Sequence, residues 1–358
     1  MSGPENKGEA HVIRVDPEEP DITEIRKAAS IIRKGGLVAF PTETVYGLGA
    51  NALDGKAVDK IFRIKKRPSS DPIIVHISEM AQLDVVVKSV PELAHQLAER
   101  FWPGPLTMIM QRSDNIPPNV SAGLSTVAVR MPSHKVSVAL IRESGVPIAA
   151  PSANIFSRPS STKAQHIIDD FSDSVDMIID GGDSTIGLES TVLDLTSDPP
   201  VLLRPGGTPM EALKQVIPDL QFGPKYIQIE ESKGSTSPGM LTKHYSPRAQ
   251  LLLFKGPVGK VRERMMATIA ELLGTGKKIG VLLPTEDIHV FKDLDVKTVE
   301  LGSESDLKTV GRNLFSGMRE LDNQGLDVIL VRSLNSEGLG LAILDRMIRA
   351  SEGKIIEV

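Results

Sequence analysis

The sequence predicts an α/β protein with two domains: a twisted mixed sheet with helices, then a small Rossmann-like domain of three layers. Its 358 residues are a typical length for two domains. Short apolar strands follow one another directly in some places and alternate with helices in others, which favours a partly antiparallel sheet. Between residues 218 and 249, Gly, Pro, Ser and charged residues replace the regular apolar pattern, which is typical of a linker.

The first domain is predicted to span residues 21–217, after a flexible N-terminus at residues 1–20. Its first helix is predicted to begin after Asp21, which can cap it, and to end at Gly35, because Ile and Ala recur between them at helical spacing. Further helices are predicted at 55–66, 91–101, 135–144 and 209–217, and strands at 37–40, 73–77, 106–110, 126–130, 147–150, 176–179, 191–195 and 201–203.

The second domain is predicted to span residues 250–358. Apolar strands alternate there with amphipathic helices, and this alternation is the pattern of a Rossmann-like fold. The strands are predicted at 251–254, 279–283, 297–301 and 328–331, and the helices at 258–274, 306–323 and 339–350.

Composition excludes several classes of protein. The chain has no cysteine, so disulfide scaffolds, thiolate zinc sites and cysteine nucleophiles are excluded. No stretch is apolar enough for a membrane span or a signal peptide, so we expect a cytoplasmic protein without membrane contact. The net charge of −5 disfavours a broad nucleic-acid-binding surface, although a local basic site remains open.

Common nucleotide-binding and metal-binding motifs are missing from the sequence. It contains neither G-x-x-x-x-G-K-[ST] nor a G-x-G-x-x-G at a strand-to-helix junction, and no H-E-x-x-H. The tripeptide GLG occurs at 47–49 and at 338–340, where we interpret it as a turn or a helix entry. Any divalent ion is therefore expected to arrive with substrate phosphates.

Polar residues concentrate after two early elements. PTETVYGLG (41–49) follows an apolar strand with three hydroxyls and a carboxylate, which could cap a turn or face a substrate. KIFRIKKRP (60–68) carries five cations and no acid, which indicates either a solvated helix end or an anion site. A lone histidine at the end of the next strand, His76, is by itself more typical of a structural residue.

Similar concentrations follow later strands. Arg130 ends the strand in STVAVRMP, and Ser152 and Asn154 follow a buried strand, where their side chains could contact phosphate or ribose oxygens. GLESTV (187–192) and LLRPGG (202–207) place Ser190 and Arg204 at strand ends, with a salt bridge or a turn as the alternative for each.

The order and spacing of these stretches resemble the YrdC-like family of threonylcarbamoyl-adenylate synthases, in the long form that carries an additional C-terminal domain. The resemblance covers about residues 25–249, whereas residues 250–358 are similar to the appended domain in layout and position only. The stretches that carry it are VAFPTETVYGLGANA, KKRPSSDPIIVHI, FWPGPLT, TVAVRMP, APSAN, IIDGG, GLESTV, LLRPGG, SPGM and HYSP.

The resemblance implies a nucleotidyltransferase that makes L-threonylcarbamoyladenylate from L-threonine, bicarbonate or carbon dioxide, and ATP, with release of pyrophosphate. Its product would pass to a tRNA threonylcarbamoyl transferase, for modification of tRNA beside the anticodon. No residue nucleophile is needed, because positioning and charge neutralisation can promote attack of the carbamate on the α-phosphorus. Mg²⁺ is expected to accompany ATP, with no metal ligand from the protein.

The resemblance also implies site residues. L-threonine would contact Thr44, His76, Arg130 and Ser190, with Arg130 as the partner of its carboxylate. The linker at 218–249 would fold back over the site as a lid. ATP would contact Lys65, Arg67, Thr126, Ser152, Asn154, Ser160, Arg204 and the linker residue Tyr245.

This chain departs from the family pattern at a few positions. Phe156 and Ser157 follow SAN where the family often has Ser-Gly, and Ser161 stands where it often has Pro. SPGM is followed by Leu-Thr-Lys instead of the commoner aromatic and basic pair.

Two other functions remain open from the sequence. A YrdC-like domain could bind double-stranded RNA through the cations of 60–68, and steep salt dependence of RNA binding would favour this. The carbamoyl-transfer role of such domains in hydrogenase maturation is disfavoured, since those proteins carry cysteine-rich zinc motifs and this chain has no cysteine.

Overall fold

The computed structural model of the chain describes residues 11–171, 173–223 and 244–358. The first domain holds an eleven-stranded mixed sheet and the second a five-stranded parallel sheet. Among these residues, no helix has the length and apolar character that crossing a membrane requires.

The elements of both domains follow the predicted order. The strands are β1 (His11–Arg14), β2 (Val38–Phe40), β3 (Gly47–Asn51), β4 (Val75–His76), β5 (Leu106–Gln111), β6 (Thr126–Arg130), β7 (Ile148–Ala149), β8 (Met177–Asp180), β9 (Thr191–Asp194), β10 (Val201–Arg204), β11 (Gln221–Phe222), β12 (Gln250–Lys255), β13 (Ile279–Pro284), β14 (Lys297–Gly302), β15 (Val328–Arg332) and β16 (Ile355–Glu357). The helices are α1 (Ile22–Arg33), α2 (Gly55–Lys65), α3 (Leu83–Val86), α4 (Glu92–Phe101), α5 (Lys135–Ser144), α6 (Ala164–Phe171), α7 (Met210–Lys214), α8 (Val258–Gly274), α9 (Ile288–Phe291), α10 (Leu307–Asp322) and α11 (Leu339–Ala350), with 3₁₀ turns at Met80–Gln82 and Thr285–Asp287.

Helix α1 confirms the capping prediction. The Asp21 carboxylate accepts a hydrogen bond from the amide of Thr23, which satisfies one of the free donors of the first turn. Four apolar side chains at helical spacing are buried beneath it (Ile25, Ala28, Ala29 and Ile32). The chain leaves the helix through Gly35 at φ +76°, a conformation in which a side chain would be strained.

The register of the large sheet brings the predicted site residues together. Its strands lie in the order β1-β8-β2-β3-β7-β4-β6-β5-β9-β10-β11. Parallel pairing of β4 with β6 sets His76 beside Arg130, and antiparallel pairing of β5 with β6 sets Thr107 on the other side of Arg130. Strand β9 pairs with β5 in parallel from its first residue, so Ser190, just before β9, lies at the same end of these strands as Thr107 and Arg130.

Several expectations about the first domain are wrong. Residues 11–14 are not a loose tail, because β1 pairs in parallel with β8 at the edge of the sheet. Gly47 and Gly49 are not in a turn: they belong to β3, which pairs antiparallel with β2, and an added Cβ would lie 3.1 Å and 2.8 Å, respectively, from the ring of Phe40. The domain also extends past residue 217, since β11 pairs with β10.

The second domain has the predicted three layers. Its sheet order is β14-β13-β15-β12-β16, and all neighbours are parallel. Alternate residues of β15 face opposite ways, with Ile329 packed in the core under α10 and α11 and Leu330 in the core under α8. Strand β16 is an additional fifth strand that the sequence analysis did not predict.

The core under α10 and α11 continues into the first domain, where it includes Val45 and Leu188, and into the end of the linker, where it includes Tyr245. Contact is close at Gly187, where a Cβ would lie 2.4 Å from the Cα of Arg312. Arg319 of α10 also donates to the carbonyl of Pro159 at 2.7 Å. The second domain therefore supports the side of the first domain that carries the predicted site.

Candidate active site

A cleft at one end of the central strands of the large sheet collects side chains from seven segments. Its volume is about 530 Å³, counted with its open mouth. It is lined by Thr42, Thr44, Val45, Tyr46 and Gly47, by Arg67, Pro72, Ile73, Ile74 and His76, by Arg130, by Ala150, Pro151 and Ser152, by Glu189, Ser190 and Arg204, and by His244 and Tyr245.

The loop at residues 41–46 joins β2 to β3 and forms one wall. Thr42 organises this loop: its hydroxyl donates to the carbonyl of Val45 at 2.6 Å and lies within 3.2 Å of the amide of Thr44. The hydroxyls of Thr42 and Thr44 also share a hydrogen bond of 2.8 Å. The hydroxyl-rich sequence therefore both shapes the turn and lines the cleft.

Arg130 lies at the base of this wall and is 3% exposed. Its Nη1 donates to the hydroxyl of Thr44 at 2.8 Å, and its Nε donates to the carbonyl of Gly104 at 3.2 Å. Its Nη2 lies 2.7 Å from Glu43 Oε1 without the angle of a hydrogen bond, so this ion pair leaves bonding capacity on both groups. A substrate carboxylate could use that capacity.

His76 stands beside Arg130 as a neutral imidazole. Burial, reinforced by the charge of Arg130, lowers the pKa of His76 to about 3. Its Nδ1 is buried without a hydrogen-bond partner among the described residues. A buried imidazole nitrogen at a cleft wall is suited to a polar ligand atom.

Ser190 and Arg204 form the next part of the wall. Arg204 donates through Nε and Nη2 to the carbonyl of Ser190, at 3.1 and 2.9 Å, and through Nη2 to its hydroxyl at 3.2 Å. That hydroxyl also contacts the hydroxyl of Thr107 at 2.8 Å. The two segments approach closely at Gly206, where a Cβ would lie 2.4 Å from the carbonyl oxygen of Glu189.

The cations of 60–68 do not form a surface patch. Arg67 is buried at the cleft, where its Nη2 lies 2.9 Å from a carboxylate oxygen of Asp71. Lys60 donates to the carbonyl of Gly35, and only Arg63 and Lys66 of the five cations are exposed. Two of the five cations, Lys65 and Arg67, are therefore buried.

Lys65 was predicted to contact ATP, but it does not line the cleft. It is 1% exposed, and its ammonium donates to the carbonyls of Ser152, at 2.6 Å, and Asn154. Burial, with a smaller effect of Arg67, lowers its pKa well below the ordinary value. Lys65 thus holds the SAN turn in place instead of projecting into the cleft.

Three other predicted ATP residues also lie outside the cleft lining. Asn154 donates to the carbonyls of Ile155 and Arg158, and Ser160 donates to Glu189 Oε1 at 2.5 Å. Thr126 begins β6, at the opposite end of that strand from Arg130. The structure therefore brings eight of the twelve predicted residues to the cleft: Thr44, His76, Arg130, Ser190, Arg67, Ser152, Arg204 and Tyr245.

The turn after SAN accommodates the residues that depart from the family pattern. Ser157 has φ +68°, the left-handed conformation that glycine adopts most readily, and its carbonyl accepts from the amide of Ser246 at 2.7 Å. Ser161 donates to the carbonyl of Ala153 at 2.6 Å. Hydrogen bonds thus fix this turn without the glycine and the proline.

The described end of the linker closes one side of the cleft. Tyr245 is fully buried, and its hydroxyl has no hydrogen-bond partner among the described residues. Burial raises the pKa of Tyr245 to about 12, so it is a neutral phenol. SPGM and the Leu-Thr-Lys after it, on which the lid prediction depended, lie outside the described residues.

Sequence reasoning missed two contributors to the cleft. Glu189 precedes Ser190 and is not among the predicted site residues, although it lines the cleft. Arg346 of α11 donates to Glu189 Oε2 at 2.7 Å across 157 residues of sequence. No local motif marks Arg346, because it resembles any other cation of an amphipathic helix.

Two family models together match most of the chain. A family model for Sua5, YciO and YrdC proteins, described as "Telomere recombination", matches residues 30–206. A second model, described as "Threonylcarbamoyl-AMP synthase, C-terminal domain", matches residues 208–352.

Individual relatives extend along nearly the whole chain. The threonylcarbamoyl-AMP synthase of Pyrococcus abyssi is 46% identical, over 93% of this chain and 96% of that protein. The threonylcarbamoyl-AMP synthase of Bacillus subtilis is 44% identical, over 93% and 94%. The crystal structure of P. abyssi Sua5 complexed with L-threonine superposes with a TM-score of 0.91 at 46% identity, over 97% of this chain and 99% of that one.

Proposed function

Because this chain belongs to the family of long-form threonylcarbamoyl-AMP synthases, we propose that it makes L-threonylcarbamoyladenylate from L-threonine, bicarbonate or carbon dioxide, and ATP. The enzyme is a nucleotidyltransferase that releases pyrophosphate, and its product supplies the modification of tRNA beside the anticodon. The observation that carries the proposal is the convergence of predicted threonine and ATP residues on one cleft.

L-Threonine binds at the end of the cleft formed by β4 and β6. Arg130 meets the carboxylate, and Thr44 holds the guanidinium in place through its 2.8 Å hydrogen bond. His76 offers a buried neutral nitrogen to the amine or the hydroxyl of the substrate. The hydroxyl of Ser190 completes this end.

ATP binds towards Arg67, Ser152, Arg204 and Tyr245. Arg67 and Arg204 supply fixed positive charge for the polyphosphate, because both are buried and held by neighbouring carbonyls. Lys65 acts on this end indirectly, since it fixes the turn that carries Ser152. Nothing in the geometry of the cleft supports a direct contact from Thr126.

Mg²⁺ enters with ATP as part of the substrate. The carboxylates nearest the cleft, Glu43 and Glu189, are each paired with an arginine, so the phosphates are better ligands for the ion. There the ion would neutralise charge on the leaving pyrophosphate. The protein's own part is to align the carbamate with the α-phosphorus and to exclude water from the adenylate.

The test follows isotopically labelled bicarbonate into product, with purified protein, ATP, Mg²⁺ and L-threonine. Pyrophosphate release and a labelled threonylcarbamoyladenylate are expected from the native chain, with at least a hundredfold loss in Arg130→Ala and Arg67→Ala. Arg63→Ala is the matched control, because Arg63 belongs to the same cationic run but is exposed. A folded, ATP-binding protein that releases no pyrophosphate with threonine and bicarbonate would refute the proposal.

The RNA-binding alternative has less support. Of the five cations at 60–68, Arg67 is paired with Asp71, Lys65 is buried, and Lys60 is bound to a carbonyl. These cations therefore do not offer the continuous basic surface that phosphate backbones require.

A further inference from the structure

One side chain of the second domain, that of Arg346, contacts both residues of the cleft wall formed by Glu189 and Tyr245. Arg346 of α11 is fully buried, and its Nε donates to Glu189 Oε2 at 2.7 Å. Its guanidinium carbon lies 5.2 Å from the centroid of the Tyr245 ring, within the range of a cation–π contact.

The same guanidinium also contacts the segment that carries Arg204. Its Nη2 donates to the carbonyl of Pro205 at 3.1 Å, and its Nη1 donates to Asp345 at 2.5 Å. Arg346 therefore contacts three chain segments of the cleft, and each of them carries a predicted site residue. Helices α10 and α11 also contact the first domain through apolar packing, through the contacts of Arg319 and through the Arg158–Asp322 ion pair at 2.9 Å.

The ion pair between Arg346 and Glu189 affects the charge that an anionic ligand meets in the cleft. Glu189 is 6% exposed and lines the same cleft as the cations Arg67 and Arg204. Its second oxygen accepts from the hydroxyl of Ser160, which is a neutral partner. The positive charge that offsets Glu189 directly comes from Arg346.

We propose that Arg346 is a positioning residue for ATP: it neutralises Glu189 and supports the ring of Tyr245, so that the second domain completes the nucleotide end of the site. This inference rests on the proposed function. L-Threonine depends less on Arg346, because three of its four predicted contacts, Thr44, His76 and Arg130, lie on segments to which Arg346 makes no hydrogen bond. The fourth, Ser190, is next to Glu189 in the chain. Loss of Arg346 therefore weakens the binding of ATP more than the binding of L-threonine.

Calorimetric titration of the full chain with Mg-ATP and, separately, with L-threonine tests this inequality. Arg346→Met is expected to weaken ATP binding at least tenfold and threonine binding less than threefold. Adding Glu189→Gln to Arg346→Met removes the uncompensated charge, so the double variant should recover at least threefold of the lost ATP affinity. Arg346→Lys keeps the charge and should stay within threefold of the native ATP affinity.

The matched control is Arg262→Met. Arg262 pairs with the buried Asp287 inside the second domain, on the α8 side of its sheet, so its loss weakens that domain without contact to the cleft. ATP affinity should remain within twofold of native. A comparable loss of ATP affinity in Arg262→Met would mean that Arg346 acts only through the stability of the domain.

Besides that outcome, three results would overturn the inference: equal weakening of ATP and threonine binding, no recovery in the double variant, or a tenfold loss of ATP affinity in Arg346→Lys. The last criterion decides the question if Arg346→Met does not fold. Failure of the proposed function has a different signature, because native protein would then bind ATP without forming the threonylcarbamoyl adduct.

Discussion

Two buried tyrosines at the cleft differ in one respect that a single-atom change can measure. Tyr46 and Tyr245 are both fully buried. The hydroxyl of Tyr46 donates to the carbonyl of Gly182 at 2.8 Å, whereas that of Tyr245 has no partner among the described residues. Tyr→Phe at each position removes only the hydroxyl and preserves the ring packing.

The expected free energies have opposite signs. Tyr46→Phe breaks a hydrogen bond and should lower the free energy of unfolding by about 1 kcal/mol. Tyr245→Phe removes a buried hydroxyl that lacks a partner, so the ligand-free protein should be unchanged or more stable by up to about 1 kcal/mol. If the Tyr245 hydroxyl bonds to ATP phosphates, ATP binding should weaken by roughly 1.5–3 kcal/mol, or about 10- to 150-fold.

Urea unfolding of the ligand-free variants and titration with Mg-ATP measure these quantities separately. Tyr46→Phe acts as the matched control for loss of a phenol at the cleft. The reasoning would be refuted if Tyr245→Phe lost more than 1 kcal/mol without ligand, since the hydroxyl would then have a partner in the protein. Unchanged ATP affinity in Tyr245→Phe would show that the hydroxyl does not face the nucleotide.

Further predictions concern pH, backbone approach and the contact between domains. Burial, reinforced by the charge of Arg319, lowers the pKa of His166 in the folded state to about 3, below its unfolded value of about 6.5. The stability that neutral His166 contributes is therefore complete above pH 6.5. It is lost as the pH falls towards 3, by about 1.4 kcal/mol of unfolding free energy per pH unit. Urea unfolding at pH 7, 5.5 and 4.5 should show that slope reduced in His166→Leu, and an unchanged slope would contradict the assignment. Gly206→Ala places a Cβ 2.4 Å from the carbonyl of Glu189, so it should cost about 1–3 kcal/mol in thermal unfolding and reduce pyrophosphate release; native behaviour would disprove the close approach. Arg319→Met leaves the carboxylate of Asp170 buried without its partner at 2.7 Å and should cost about 3–5 kcal/mol, with partial recovery on adding Asp170→Asn; calorimetry that shows no recovery would argue against the ion pair.

The spacing of apolar residues predicted most of the helices and strands, because it shows which side chains of an element are buried. Helix α1 and helix α11 could be placed from apolar spacing and terminal glycines or caps. Strand β3 was missed because its glycines are typical of a turn. In the structure they let β3 pack closely against the ring of Phe40 on the neighbouring strand. Short edge strands such as β1 and β11 carry almost no periodic signal.

The sequence predicted which residues lie near the candidate site better than it predicted which of their side chains line the cleft. Family resemblance indicated Lys65 and Ser160 as ATP contacts, and the structure gives both of them protein partners instead. Spacing along the chain cannot tell whether a cation points into a cleft or holds a turn from behind. Arg346 could not be predicted at all, because its partner is 157 residues away.

The separation of Glu189 from Arg346 also has a consequence during synthesis of the chain. A ribosome adds about 5–20 residues per second, so roughly 8–30 s pass between the synthesis of the carboxylate and that of the arginine, 157 residues later. Until then, burial of the carboxylate is unfavourable, and the first domain emerges with one wall of its cleft unsupported. The nascent enzyme is therefore expected to reach its native affinity for ATP only when α11 has folded.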